Sequence, residues 1–119
     1  MTHQLNFIYN DSDWICPSEY PDLSQAKEIA IDLETKDPNI KTKGSGWATF
    51  DGGIVGFAVA AFDQQWYFPI QHDAGGNMDL SITCAWFQDI LKTPATKIFH
   101  NASYDVGWLL VNGFEINGK

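Results

Sequence analysis

The feature that most constrains the fold is GIVGFAVAAF at residues 53–62, a stretch with hardly a polar side chain. It is too short to span a bilayer, which takes about 20 apolar residues as a helix. It also lacks the alternation of a strand with one wet face. It reads as a strand covered on both sides, and such strands lie inside a sheet rather than at its edge. Residues 65–70, QWYFPI, read as a second strand, so the two form a hairpin with Asp63-Gln64 at or near the turn. Pro69 has no backbone N–H to give and suits the end or edge of that strand. The composition agrees with a folded unit, 45% apolar and 14% aromatic against 18% charged, and 119 residues leave room for one domain.

Residues 27–35, KEIAIDLET, alternate strictly, with Ile29, Ile31 and Leu33 on one face and Ala30, Asp32 and Glu34 on the other. Residues 37–53 carry Pro38, Gly44, Gly46, Gly52 and Gly53 without an apolar period, which predicts a mobile loop. After a turn at residues 72–77, helical spacing of Leu80, Cys84, Phe87, Ile90 and Leu91 predicts a helix over 78–91 that Pro94 closes from outside. TKIF at 96–99 is a short strand, and Asn101 is a suitable N-cap for a helix over 102–111 ending at Asn112-Gly113. Phe114-Glu115-Ile116 alternates again, as a further strand would at its start. Residues 1–26 mix aromatics with turn formers and read as an irregular lead-in with one short strand around residues 5–9. Along the chain the elements then run strand, hairpin, helix, strand, helix, which is an α/β pattern.

Seven lysines, no arginine and fifteen acids give a net charge of -8, which repels a polyanion and excludes a basic nucleic-acid binder. An enzyme that holds divalent cations between carboxylates remains open. Cys16 and Cys84 stand far apart and suggest neither a zinc site nor a disulfide framework. The N-terminus MTHQLNFIYNDSD lacks the layout of a signal peptide, so the expectation is a soluble, intracellular protein with no membrane partner.

Asp32 and Glu34 lie two apart at the end of a strand, about 6.6 Å along it, where two carboxylates can converge on a pair of ions. Taken alone, the pair leaves two readings open, metal ligands or a solvated strand end. His100-Asn101-Ala102-Ser103-Tyr104-Asp105 is the more specific constellation, because Asn101 opens a helix and Asp105 lies one turn in on the same face. Other residues carry weaker chemistry. Lys36, Lys41 and Lys43 read as solvated loop lysines or as cations steering a DNA end. His72 and His100 read as structural or exposed rather than as ligands. Trp66, Trp86 and Trp108 fall within predicted elements and read as packing, whereas Trp47 sits in the loop near the acids, where stacking on a base is also open.

The ordered set IAIDLET, GGIVGFAVA, WYFPIQHD and HNASYD resembles the 3′–5′ proofreading exonuclease domain of family A DNA polymerases, the bacterial polymerase I type and its phage relatives, within the DEDD exonuclease superfamily. The resemblance runs from about Lys27 to Gly113 and implies a ribonuclease H-like mixed sheet, in the order hairpin, first strand, TKIF strand, flanked by helices. It implies Asp32, Glu34 and Asp105 as catalytic ligands of two Mg²⁺ or Mn²⁺ ions, Asp32 bridging both, and Thr35, Asn101 and Tyr104 around a single-stranded DNA 3′ end. Nucleoside 5′-monophosphates would be released, in the cytoplasm of a bacterium or phage-infected cell. RNase D-like or RecQ-associated exonucleases share the acids, and some relatives keep the fold as non-catalytic scaffolds; WYFPIQHD favours the polymerase branch. The family's third motif, Tyr-x-x-x-Asp, is not met: after Asp105 stands one acid, Glu115, and no tyrosine. Residues 27–119 thus read as the N-terminal part of the domain, incomplete at its C-terminus, with a polymerase domain expected downstream. Weak metal binding, little activity of its own and exposed apolar surface on the helix over 102–111 follow from that reading.

Overall fold

The computed structural model describes residue 17 and residues 19–49, 52–73 and 75–118. The strand expected around residues 5–9, and Cys16, lie outside them. Strands β1 (Glu28–Lys36), β2 (Gly53–Ala61), β3 (Gln64–Pro69) and β4 (Thr96–Phe99) form one sheet in the order β3-β2-β1-β4. β1 pairs antiparallel with β2 and parallel with β4, so the sheet is mixed and in the order expected. With helices flanking it, this α/β architecture is compatible with a ribonuclease H-like fold.

Alternation in β1 divides the sheet as the sequence implies. Ile29, Ile31 and Leu33 join Phe57, Val59 and Phe68 in the main core. Helix α3 (Leu80–Lys92) lays Phe87, Ile90 and Leu91 against them, with the Phe57 and Phe87 rings stacked at 4.0 Å between centroids. Such ring pairs add about 0.5–1.5 kcal/mol beyond the area they bury. α3 starts two residues later than Met78 because Asp79 caps it, its side chain accepting from the Ile82 N–H at 2.8 Å. The lead-in also reaches this core: Leu23 and Ala26 are buried, and Tyr20 stacks on Phe68 while its hydroxyl meets Thr83 Oγ1 at 2.6 Å.

The hairpin turns on Phe62 and Asp63, with φ of 54° and 60°, between the paired residues Ala61 and Gln64. Two consecutive left-handed residues match the strands' twist, so Phe62 leaves the apolar run for solvent, 53% exposed, and Gln64 belongs to β3.

Two expectations fail. Residues 37–49 are not an open loop but hold two single-turn helices, α1 (Ile40–Lys43) and α2 (Gly46–Thr49). Their anchors are the Asp37 carboxylate, which accepts from the Gly46 N–H, and Trp47, which packs on the core. Likewise, Phe114-Glu115-Ile116 forms no strand, because a side chain takes the place of a partner strand. The Gln88 amide donates to the Glu115 carbonyl at 2.7 Å and accepts its N–H at 2.9 Å. Lys97, buried within the sheet, donates from Nζ to the Thr93 and Asn117 carbonyls, and burial pulls its pKa down. Phe114 itself stands edge-on to Phe57 and Phe87.

Candidate functional site

Parallel pairing of β1 and β4 decides where the acids meet. β4 ends at Phe99 opposite Ile31, while β1 runs on through Asp32 and Glu34. The chain leaving β4 therefore begins helix α4 (Ala102–Val111) near the half of β1 that β4 does not pair. On the other side, β2 sets Ala58 and Gly56 opposite Asp32 and Glu34, and the Tyr67 side chain of β3 fills the space that a Cβ at Gly56 would take. The register slips between Glu34 and Thr35, so a bulge bends the sheet where the acids stand.

The result is a pocket of about 540 Å³ lined by Asp32, Glu34, Thr35, Asn101, Tyr104 and Asp105, together with Leu33, Asp37, Ile40 and His100. All six residues implied by the resemblance share it. Asp32 and Asp105 are buried, at 5% and 2% exposure, and Asp105 Oδ2 has no hydrogen-bond partner. Burial, reinforced by the Asp32 charge, pushes the Asp105 carboxyl up to about 7, and a backbone hydrogen bond at Asn101 pulls the other way. Among the described residues no three His, Cys, Asp or Glu side chains are close enough together to form a ready ligand set. The donor chemistry nevertheless fits divalent cations: a buried, unpartnered carboxylate oxygen beside a second buried carboxylate is the arrangement a cation relieves.

Asn101 departs from its expected role. It is exposed, and its side chain makes no capping hydrogen bond to α4. Tyr104 donates its hydroxyl proton to Asp37 Oδ2 at 2.7 Å and meets Thr35 Oγ1 at 2.9 Å. A phenol has one proton, so Thr35 is the donor in the second bond. Asp37 was the residue hidden from sequence reasoning; followed by Pro38 and Asn39 it reads only as a turn former.

The remaining candidates divide. Lys36 bridges to Asp73 at 2.8 Å on the surface, while Lys41 and Lys43 stay exposed on α1. His72 is held by the Tyr67 hydroxyl away from the pocket, whereas His100 lines it. Trp47 is committed to packing: a Cβ at Gly107 of α4 would come within 2.4 Å of its Cε2. Trp108 is buried in the core, and Trp66 and Trp86 pack against it. No described helix is long and apolar enough to cross a membrane.

With this geometry in place, comparison with known proteins is informative. The chain is similar to a phage DNA polymerase. It is 34% identical over 114 residues to a DNA-directed DNA polymerase of Pseudomonas phage M6, an alignment covering 92% of this chain. The chain spans 17% of that protein's length. The similarity is thus to one stretch of a polymerase. No protein-family model matches it.

Proposed function

We propose that the pocket is a 3′–5′ exonuclease site that trims single-stranded DNA 3′ ends in the proofreading part of a DNA polymerase. Asp32, Glu34 and Asp105 would hold two divalent ions, Mg²⁺ or Mn²⁺. When bound, such ions supply an activated water and stabilise the departing 3′ oxygen. The observation that carries the reading is that Asp32 and Asp105, remote in sequence and both buried, share one pocket in which an Asp105 oxygen has no partner. Asp105, its carboxyl pushed up to about 7, would hold the cation in its ionised form, which a neighbouring positive charge favours. Thr35, Asn101 and Tyr104 also line the pocket and would meet the terminal nucleotide. The net charge of -8 makes cations the necessary go-between for a phosphate backbone.

The test has two arms. Mn²⁺ should raise the melting temperature of the chain through binding to the folded state, and Asp32→Ala should remove that rise. In a polymerase-length protein carrying this domain, a 5′-labelled single-stranded DNA should shorten from its 3′ end, and Asp32→Ala should slow this by orders of magnitude. A flat Mn²⁺ response in the unsubstituted chain would mark a non-catalytic scaffold, and preferential digestion of RNA would mark an RNase D-like enzyme.

A further inference from the structure

We propose that Asp37 is a positioning residue for the nucleotide side of this pocket, holding Tyr104 and the α1–α2 segment in place through one carboxylate oxygen. The inference rests on the exonuclease reading of the pocket and extends it to a residue outside the motifs that suggested it. Asp37 follows the end of β1, and its Oδ2 accepts two hydrogen bonds, from the Tyr104 hydroxyl at 2.7 Å and from the Gly46 N–H at 2.9 Å. The first ties it to α4, whose Tyr104 and Asp105 line the pocket, and the second to the start of α2, so one atom joins a wall of the pocket to the segment behind it. Its Oδ1 is buried without a hydrogen-bond partner, and the contacts the structure gives Asp37 within the site run through Oδ2, so Asp37 acts through Tyr104.

The hydrogen-bond count on Tyr104 has a chemical consequence. Its proton goes to Asp37, and its oxygen accepts from Thr35. The proton is then committed to Asp37, and the hydroxyl has none to donate to a substrate. Tyr104 offers a substrate its ring, fixed at a set angle by the Thr35 and Asp37 tethers. The loss expected on cutting the tether is therefore in nucleotide binding and not in cation binding.

Thymidine 5′-monophosphate, titrated calorimetrically into the chain with Mn²⁺ present, tests this against Mn²⁺ titrated alone. Asp37→Ala and Tyr104→Phe should each weaken the nucleotide by about fivefold, the worth of one hydrogen bond. The double variant should be no weaker than either single one, since both cut the same link. Asp37→Asn, which keeps an acceptor oxygen in place, should bind close to the unsubstituted chain, and Mn²⁺ affinity should stay within about twofold throughout. If Asp37→Ala does not fold, the contrast between Tyr104→Phe and Asp37→Asn carries the same test. Unchanged nucleotide binding in Tyr104→Phe, or additive losses, would overturn the proposal. A parallel fall in Mn²⁺ affinity would also overturn it, by making Asp37 a cation ligand. Failure of the unsubstituted chain to bind Mn²⁺ at all would instead remove the exonuclease reading beneath it.

Discussion

Asp105 carries the sharpest consequence at the scale of a single residue. Its carboxyl titrates near 7 in the folded chain against 3.8 for the ordinary group, chiefly because it is buried and secondarily because Asp32 stands near. The folded state thus holds a proton that the unfolded state has already released. The associated stability is fully present below about pH 4 and is lost as pH rises to about 7. In EDTA, Asp105→Asn should therefore unfold at a higher temperature than the unsubstituted chain at pH 8, by a few kcal/mol of stability, and should lose the downward slope between pH 4 and 7. Thermal denaturation across that range checks it. An unchanged slope would mean that Asp105 ionises freely. The acid pair and the Asn101–Asp105 spacing were legible as residue types, but the burial that perturbs Asp105 was not, since burial depends on what packs above a residue.

Among the elements, the two short helices separate what pattern can report from what contact decides. Residues 40–49 have no apolar period because each helix is one turn long, too short to show one. Neither holds itself, since a single turn does not repay its nucleation. α2 is held by the contact of Trp47 with Gly107 and by the Gly46 bond to Asp37. Gly107→Ala should accordingly destabilise the chain. Overpacking against the indole costs about 1–3 kcal/mol, while alanine returns at most about 1 kcal/mol of helix propensity. The midpoint of urea denaturation should fall, and a rise would show that Trp47 moves aside freely. The end of the chain teaches the same lesson in reverse. Phe114-Glu115-Ile116 has a strand's alternation, but Gln88 satisfies the Glu115 backbone before any strand does.

Across the whole molecule, charge and exposed apolar surface frame the behaviour. Helix α4 buries Trp108 and Leu109 and leaves Leu110 and Val111 at 57% and 44% exposure, the surface its sequence led us to expect. A net charge of -8, with carboxylates gathered at one pocket, makes the compact state repel itself. Added NaCl should therefore raise the melting temperature by screening. MgCl₂ at matched ionic strength should raise it further, because an ion that enters the pocket adds binding energy to screening. Equal effects of the two salts, measured side by side by calorimetry, would show that the pocket takes no divalent ion.

What the sequence determined by itself was whatever a period can encode. A two-residue period in 27–35 and a continuous apolar run in 53–62 specify a buried sheet, and a helical period in 80–91 specifies the helix that covers it. The hairpin followed too, since two strands a tight turn apart pair with each other, whereas the pairing of the first strand with TKIF came with the resemblance. The tertiary structure alone decided how the functional groups are used. Asp37 became the anchor of Tyr104, Asn101 gave up its cap, Trp47 became packing, and Asp105 acquired its high pKa. Each of these depends on which atoms approach from distant parts of the chain, and local spacing carries no record of such approaches.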